Sequence, residues 1–160
     1  MKLQIDIDFM NQLFDYKDGD LFWKVDRRSR KVKGQKVGSL LNGYRAVRIN
    51  KKTYLNHRII FAMHHGYYPE CIDHIDRNPL NNKIENLRVA TFSQNIVNST
   101  VHINNKCGSK NVYFNKQKNK WRAQVKFDGK TYAKDFIKIE DAIIHASFLR
   151  NKHHGEFANG

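Results

Sequence analysis

Apolar residues recur along the chain at two spacings, which separate predicted helices from predicted strands. Three stretches follow the 3.6-residue period of a helix: residues 6–16, with Phe9, Leu13 and Phe14 turned inward, residues 57–65 (HRIIFAMHH), and residues 139–150. Shorter runs read as strands, and several alternate cleanly with a period of two. They lie at residues 21–25, 36–41, 44–49, 52–55, 72–75, 85–90, 113–114, 121–127 and 130–136. Together these elements predict an α+β fold.

Turn residues join many of the predicted strands into hairpins. Lys17-Asp18-Gly19-Asp20, Asn42-Gly43 and Asp128-Gly129 follow or separate apolar runs, where Asn-Gly and Asp-Gly favour tight hairpin turns. Residues 98–105 (NSTVHINN) are polar and turn-rich, the one stretch typical of a linker. We therefore expect two domains, residues 1–100 and residues 106–160. The second is predicted to be a three-stranded antiparallel sheet covered by one helix.

Charge is distributed unevenly and points to a polyanionic partner. The 160 residues carry a formal net charge of +14, and twelve basic residues against one acid lie between Lys24 and Arg58. Nine basic residues against one acid lie between Lys106 and Lys134, whereas Glu70 to Arg88 is nearly neutral. Two basic flanks around a nearly neutral segment favour a nucleic acid. A basic membrane-surface protein is disfavoured because no long amphipathic helix accompanies these runs.

The remaining composition favours a soluble intracellular, cytoplasmic protein. Cys71 and Cys107 are the only cysteines and lie far apart, so neither a zinc ribbon nor a disulfide framework is predicted. No apolar run is long enough to span a membrane. The first residues, MKLQIDIDFMNQLF, have acids within their apolar stretch, which a signal peptide does not. We expect no membrane partner and no small-molecule cofactor.

The chemistry concentrates in residues 71–95, CIDHIDRNPLNNKIENLRVATFSQN, predicted as strand, loop, strand and helix. Asp73 and the amide oxygen of Asn95 suit a hard divalent cation. His74 can take a proton from water at neutral pH. Asn86 lies on the second strand. This set suits phosphodiester hydrolysis, although neighbours on a regular strand point apart, so Asp73 and His74 converge only if the strand ends or twists. The alternative is a hairpin whose Asp and Asn residues merely cap turns.

At these residues the sequence resembles the HNH (ββα-metal) nucleases, in particular the homing endonucleases of phages. The pattern Asp-His-x-Asp-x-Asn, Asn-Asn-x-x-x-Asn-Leu-Arg and Thr-x-x-x-Asn occurs at residues 73–78, 81–88 and 91–95. Residues 54–60 (YLNHRII) resemble the segment before the motif in these enzymes, which extends the resemblance over residues 18–98.

The resemblance implies a role for each motif residue. His74 is the general base, Asp73 and Asn95 hold the catalytic metal, and Asn86 braces the histidine and the loop. Mg²⁺ is the implied ion, with Mn²⁺ as a substitute, and the products carry 5′-phosphate and 3′-hydroxyl ends. Many family members have a histidine at the position of Asn95, so a single anionic ligand predicts weak metal affinity here. One site per chain favours a monomer that nicks double-stranded DNA.

Basic residues around the motif are candidate DNA contacts. The loop at residues 26–35 (DRRSRKVKGQ) either grips backbone phosphates or is a solvated basic loop, with equal weight. Its candidates are Arg27, Arg28, Arg30, Lys31 and Lys33. Arg58 and Arg88 are candidates for holding the scissile phosphate. For His57 we favour a buried structural role over a phosphate contact, and we expect His64 and His65 to be surface or packing residues.

Residues 106–160 resemble the Apetala-type DNA-binding domain of plant ethylene-response factors and phage homing endonucleases. The resemblance rests on residues 108–113 (GSKNVY), 119–125 (NKWRAQV) and 154–158 (HGEFA). It implies a sheet in the major groove, so the polar side chains of strand 121–127, Arg122, Gln124 and Lys126, are candidate DNA contacts, with Lys116, Lys118 and Lys120 on the phosphates. Residues 133–136 (AKDF) depart from the family's Leu-Gly before the aromatic residue, which affects the turn into the helix.

The sequence therefore predicts an HNH homing-type DNA endonuclease. Two alternatives remain: a non-cleaving sequence-specific DNA-binding regulator on the same fold, and a nuclease without sequence preference.

Overall fold

The computed structural model describes residues 6–27, 30–99, 105 and 107–158. Within these ranges the protein forms four α-helices and ten strands, and the strands pair into four small antiparallel sheets. The predicted α+β fold class is confirmed. Contacts divide the chain into two compact units, Met1–Thr91 and Phe92–Gly160. No helix in the described part of the chain has the length and apolar character needed to cross a membrane.

The first unit begins with a short helix that leads directly into a hairpin. Helix α1 spans Ile7–Leu13, and Asp6 caps it by accepting a hydrogen bond from the Phe9 backbone. Strands β1 (Phe14–Lys17) and β2 (Asp20–Trp23) follow. The prediction of a helix through residue 16 was therefore wrong. Phe14 is fully buried as predicted, but from a strand, where it lies opposite Trp23.

A three-stranded sheet and a helix complete the scaffold of this unit. The sheet consists of β3 (Ser39–Leu41), β4 (Tyr44–Ile49) and β5 (Lys52–Leu55), with β4 in the centre. Asn42 and Gly43 both have positive φ, as the predicted tight turn requires. The predicted strand at 36–41 is shorter than expected. Helix α2 (Asn56–His65) ends at Gly66, whose left-handed conformation closes it as predicted.

In the core of the first unit, α2 packs against the β1–β2 hairpin and the three-stranded sheet. Its fully buried side chains come from the hairpin, the loop before β3 and α2, and they include Phe14, Leu21, Val37, Ile59 and Ile60. Ile72 and Leu87 join the same cluster, so the hairpin that carries the site is anchored to this core. Burial of large apolar side chains of this kind contributes about 1.5–3 kcal/mol each.

The hairpin of the site consists of β6 (Cys71–His74) and β7 (Leu87–Ala90). Cys71 lies opposite Ala90 and His74 lies opposite Leu87. The predicted strands at 72–75 and 85–90 are both shifted, since residues 84–86 form a single turn of 3₁₀-helix (Ile84–Asn86). This turn brings the loop back to the end of β6, because the backbone N–H of Ile75 donates to the carbonyl of Asn86.

The second unit contains the predicted three-stranded sheet and covering helix. Helix α3 (Phe92–Asn98) is followed by β8 (Val112–Asn115), β9 (Lys120–Phe127) and β10 (Lys130–Phe136), with β9 in the centre. Helix α4 (Ile139–His154) and a 3₁₀ turn (Gly155–Phe157) end the described chain. Most of the predicted linker lies outside the described residues.

Alternation along β9 sorts its side chains as the sequence predicts. Ala123 and Val125 are buried, and Ala123 packs in one cluster with Ala142 and Ala146 of α4, whereas Arg122, Gln124 and Lys126 lie on the opposite face. Phe127, predicted to face the core, is 40% exposed. Its ring instead contacts His153 and His154 near the end of α4.

Candidate active site and nucleic-acid interface

The end of β6 fixes where His74 can point. The strand stops at His74, whose carbonyl accepts a hydrogen bond from the Arg77 backbone in a turn with positive φ at Arg77. The chain therefore leaves the regular strand geometry immediately after the candidate base. Neighbouring side chains point to opposite faces only within a regular strand, so Asp73 and His74 can converge because the strand ends here.

A buried amide selects the tautomer of His74. The ring nitrogen Nε2 lies 3.0 Å from the side-chain oxygen Oδ1 of Asn82. His74 and Asn82 are 6% and 2% exposed, so this is a buried contact. An amide oxygen only accepts hydrogen bonds, so Nε2 must carry the hydrogen. In the neutral ring, Nδ1 is then the nitrogen with the basic lone pair.

Two aromatic residues stand against the His74 ring. The ring of His57 lies edge-on to it with centroids 4.9 Å apart, and the Tyr44 ring lies 6.2 Å away. His57 is buried, and burial, helped by the nearby charges of His74 and Arg58, lowers its pKa to about 3. His57 is thus uncharged at physiological pH and packs against the His74 ring, in keeping with the buried structural role favoured from the sequence.

Asp73 is paired with an arginine across the hairpin. It lies opposite Arg88 in the β6–β7 register, and its Oδ2 accepts from Nε and lies 2.9 Å from Nη2 of the guanidinium. The Asp73 side chain is 4% exposed and that of Arg88 is 14% exposed. The carboxylate of Asp73, the residue before the candidate base His74, is therefore buried and its charge is compensated by Arg88. Arg88 is itself a candidate phosphate contact.

Asn86 braces the loop, and Asn82 braces the histidine. The Asn86 side chain accepts from the Asp76 backbone and donates to the Asp76 carboxylate and to the Asn81 carbonyl. Hydrogen bonds from Asn81, Asn78 and Asn86, opposed by partial burial, lower the pKa of Asp76. The family resemblance assigned both jobs to Asn86. His74 donates its Nε2 hydrogen to Asn82 of the same loop, so Asn82 also braces the histidine, and the role of Asn86 toward His74 stays a prediction.

The remaining motif residue lies in the other unit. Asn95 is in the middle of α3, which groups with the second unit. The predicted boundary near residue 100 had placed this helix with the nuclease domain. The domain limits and the metal role of Asn95 both stay predictions.

The basic loop at residues 26–35 is organised by its one acid. Oδ1 of Asp26 accepts from the backbones of Val32 and Lys33, at 2.8 and 2.9 Å. The backbones of Arg27 and Arg30 bond to each other, and the Arg27 guanidinium lies over the Trp23 ring, 5.0 Å from its centre. Lys31 and Lys33 are on the exposed side of this loop, and Arg28 lies outside the described residues.

Arg58 and the two neighbouring histidines have protein partners. The Arg58 guanidinium donates to the Tyr68 hydroxyl and to the carbonyls of Pro69 and Glu70, and it stacks over the Tyr68 ring. His64 bonds the Ile60 carbonyl, and the His65 ring packs on Phe61. A phosphate contact by Arg58 stays a prediction. Its observed hydrogen bonds hold the segment that leads into β6.

The polar face of the second unit's sheet carries an acid among its basic residues. Asp135 lies on it, and its carboxylate bonds Arg122 in a two-point ion pair of 2.6 and 2.9 Å and Lys118 at 3.0 Å. The Tyr113 hydroxyl donates to Oε1 of Gln124 at 2.9 Å. Lys116, Lys120 and Lys126 are exposed at the turn and along β9.

Three residues of these hydrogen-bond networks were not predicted from the sequence: Asn82, Tyr113 and Asp135. Asn82 is one of several amides in a turn-rich loop, and no local pattern distinguishes it. Asp135 and Tyr113 are strand residues whose importance depends on the register, which sets both opposite Arg122. The alternation of β10 gave the available signal, since it predicts which of its residues share the polar face.

Comparison with known proteins identifies the family. A family model described as HNH endonuclease matches residues 54–97, a range that contains Asp73, His74, Asn86 and Asn95. Protein 3.8 of Escherichia phage T7 is 35% identical over 96 residues, which cover 58% of this chain and 74% of the phage protein. The chain belongs to the HNH endonuclease family. No solved structure matches it significantly.

The HNH match covers the buried site described above, from the end of β5 to α3. Enzymes of this family act on DNA and generally depend on a divalent metal ion. The family match ends at residue 97, before the three-stranded sheet begins. The likeness of that sheet to Apetala-type domains stays a prediction.

Proposed function

We propose that the protein is a metal-dependent, homing-type DNA endonuclease that hydrolyses a phosphodiester bond at a selected site in double-stranded DNA. Residues 1–100 would form the nuclease domain and residues 106–160 an Apetala-type domain that selects the site. The observation that supports cleavage best is the buried Nε2 contact of His74 with Asn82, beside an HNH motif whose four residues are all present.

His74 is the proposed general base. Because Asn82 accepts the Nε2 hydrogen, Nδ1 is the nitrogen that takes a proton from the attacking water. The edge of His57 limits rotation of the His74 ring, and a neutral His57 adds no positive charge that would oppose proton uptake. Asn86 holds the loop that carries Asn82, since it bonds Asp76 and the Asn81 carbonyl.

Asp73 is the proposed anionic ligand of a divalent metal, with the amide oxygen of Asn95 as a second oxygen donor. A carboxylate beside the base fits a hard cation. A bound Mg²⁺ or Mn²⁺ would polarise the phosphate and stabilise the departing oxyanion. Among the described residues no three His, Cys, Asp or Glu side chains group as a metal site, so the proposed site depends on a single carboxylate. Affinity for the ion is therefore expected to be weak.

Charge on both units supports DNA as the substrate. Arg27, Arg28, Arg30, Lys31 and Lys33 of the first unit, and Lys116, Lys118 and Lys120 of the second, are the proposed phosphate contacts. Arg122, Gln124 and Lys126 are proposed to enter the major groove, which is wide enough for strands. Arg88 remains the proposed contact to the scissile phosphate.

Cleavage is tested with supercoiled plasmid and phage genomic DNA in Mg²⁺, in Mn²⁺ and in EDTA. We expect metal-dependent nicking by the parent and a loss of about 10²-fold or more in His74→Ala, the usual scale for removing a general base. His65→Ala is the matched control, because this histidine is exposed and packs only on rings outside the site. Unchanged DNA binding in His74→Ala shows that the loss is chemical.

One observation favours the non-cleaving alternative, a DNA-binding regulator on the same fold. The Asp73 carboxylate is already compensated by Arg88, so no metal is needed to neutralise it. Tight binding to a defined duplex without cutting in either metal would establish this alternative. Equal cutting of selected and random duplexes would instead establish a nuclease without sequence preference.

A further inference from the structure

A chain of hydrogen bonds crosses the polar face of the second unit's sheet. Asp135 of β10 and Tyr113 of β8 both lie opposite Arg122 of β9. The Asp135 carboxylate accepts hydrogen bonds from Nε and Nη2 of Arg122, at 2.6 and 2.9 Å, and from Nζ of Lys118. Tyr113 gives its hydroxyl hydrogen to Oε1 of Gln124 at 2.9 Å. The two central side chains of the face are thus held from both neighbouring strands.

These contacts decide which hydrogen-bonding groups remain for a ligand. Arg122 keeps Nη1 and the second hydrogen of Nη2 outside its ion pair with Asp135. The guanidinium also interacts with the Tyr113 hydroxyl, but every group that it offers is a donor. Gln124 has one carbonyl oxygen and one amino group, and the oxygen is engaged by Tyr113. Its amino group can only donate. The centre of the face therefore presents donors and no side-chain acceptor from these two residues.

A donor-only surface distinguishes the two purines in the major groove. Guanine presents two acceptors, O6 and N7, whereas adenine presents the acceptor N7 and the donor N6. A glutamine reads adenine by using both its oxygen and its amino group. Gln124 cannot do so while its oxygen accepts from Tyr113.

We propose that Tyr113 and Asp135 set the base preference of this face: by holding Gln124 and Arg122 as donors, they make it select guanine and reject adenine opposite Gln124. The inference rests on the proposed binding of DNA by the sheet. Tyr113 and Asp135 are positioning residues, which act through the groups that touch the base.

The geometry favours bases over phosphates as the targets of this pair. Phosphates accept hydrogen bonds from any exposed lysine, and Lys116 and Lys120 already supply exposed cations beside the face. Arg122 and Gln124 are partly buried and fixed in orientation. An orientation fixed by protein contacts improves base discrimination because the side chain cannot turn to match a different base edge, and it raises affinity because less freedom is lost on binding.

The test uses the full-length chain in EDTA, so that binding is measured without cleavage. Duplexes selected from a randomised library give the parent's preferred site. Affinities are then measured for that site, for versions with one guanine replaced by adenine, and for versions with 7-deazaguanine, which lacks the N7 acceptor. At the position opposite Gln124 we expect each replacement to weaken parent binding roughly tenfold, the scale of one good bidentate contact.

Tyr113→Phe removes only the hydroxyl that occupies Gln124. We expect it to tolerate adenine at that position, with the guanine preference falling to about threefold or less, because the glutamine oxygen becomes able to accept from N6. Tyr132→Phe is the matched control, since Tyr132 lies on β10 and stacks on His153 instead. Its preference should equal the parent's.

Asp135→Asn removes the charge that restrains Arg122 and Lys118. We expect a severalfold gain in affinity for random duplexes, a steeper salt dependence and weaker discrimination. Retention of the parent's guanine preference in both Tyr113→Phe and Asp135→Asn would overturn the inference. If Gln124→Ala and Lys126→Ala bind DNA as the parent does, the sheet is not the DNA surface, and the proposed function of this domain fails with it.

Discussion

Each unit of the molecule contains a cross-strand pair of aspartate and arginine, and the two pairs differ in burial. Asp73 and Arg88 of the first unit have side chains 4% and 14% exposed. Asp135 and Arg122 of the second unit have side chains 18% and 24% exposed. Each aspartate lies directly opposite its arginine in an antiparallel register. The same two residue types are thus found in an almost dry hairpin and on a partly exposed sheet face.

The difference in solvent separates what the two pairs can do. In a dry site, neither charge can lose its partner without a large cost, because water does not replace it. On a partly exposed face, water screens the attraction and competes for both partners, so breaking the pair costs less free energy. The buried pair therefore holds the hairpin of the candidate site, and the partly exposed pair can orient an arginine for a ligand.

The largest expected effect follows from breaking the buried pair. Arg88→Ala leaves the Asp73 carboxylate without its guanidinium in a site that is almost dry, and we expect a loss of roughly 3–5 kcal/mol in the free energy of unfolding of the first unit. Urea unfolding checks this. The protein has two tryptophans, Trp23 in the first unit and Trp121 in the second. A Trp121→Phe background reports on the first unit alone.

A double variant separates charge compensation from packing. Asp73→Leu combined with Arg88→Met replaces both charges by apolar groups, and it should recover most of the stability lost in Arg88→Ala. Equal destabilisation in the single and double variants would show that the pair matters through shape rather than charge. Cleavage should be absent in the double variant, since the proposed metal ligand is gone.

Acidification is the next test, and it should affect the first unit more than the second. The pKa of His57 is lowered to about 3 by burial, with His74 and Arg58 adding to the effect. An unfolded histidine binds a proton near pH 6.5, so below that pH the unfolded state gains protons that the folded state does not. Stability therefore falls as the pH drops from 6.5 toward 3, by roughly 2 kcal/mol at pH 5.

The second unit should keep its ion pair over the same range. Hydrogen bonds from Arg122, and then from Lys118, hold the pKa of Asp135 well below its usual range. A depressed carboxyl pKa means that the stabilisation present at neutral pH is lost only when the pH falls below the ordinary value. Urea unfolding at pH 7 and pH 5, in the two single-tryptophan backgrounds, checks the contrast. Equal losses in both units would contradict it.

Local turn chemistry explains which parts of the fold were predictable. Asn42-Gly43 and Asp128-Gly129 have the positive φ values that tight hairpin turns need, so the hairpins they close were found from the sequence. Residues 14–16 were not, because Phe9 and Leu13 satisfy a helical period that continues to Phe14. Residues 14–16 form a strand because Phe14 pairs with Trp23. The periodicity of residues 6–16 alone cannot reveal a strand partner that lies outside that stretch.

The candidate site was predictable in its residue types and not in its contacts. The spacing of Asp73, His74 and Asn86 pointed to the chemistry, and all three are buried at one hairpin. His74 donates to Asn82 because the loop folds back through a 3₁₀ turn, which the alternating pattern at 85–90 concealed. Pairing of Asp73 with Arg88 likewise depends on a register that the loop sets.

The smallest expected effect is at the exposed pair, and it completes the contrast. Arg122→Ala removes one partner of Asp135, but Lys118 remains 3.0 Å from the same carboxylate and the side chain is in contact with water. We expect no resolvable change in the urea midpoint of the second unit, followed by Trp121 in a Trp23→Phe background. A loss comparable to that of Arg88→Ala would show that the exposed pair holds the sheet together. Retained stability combined with weaker, less selective DNA binding would show that Arg122 is held for the ligand.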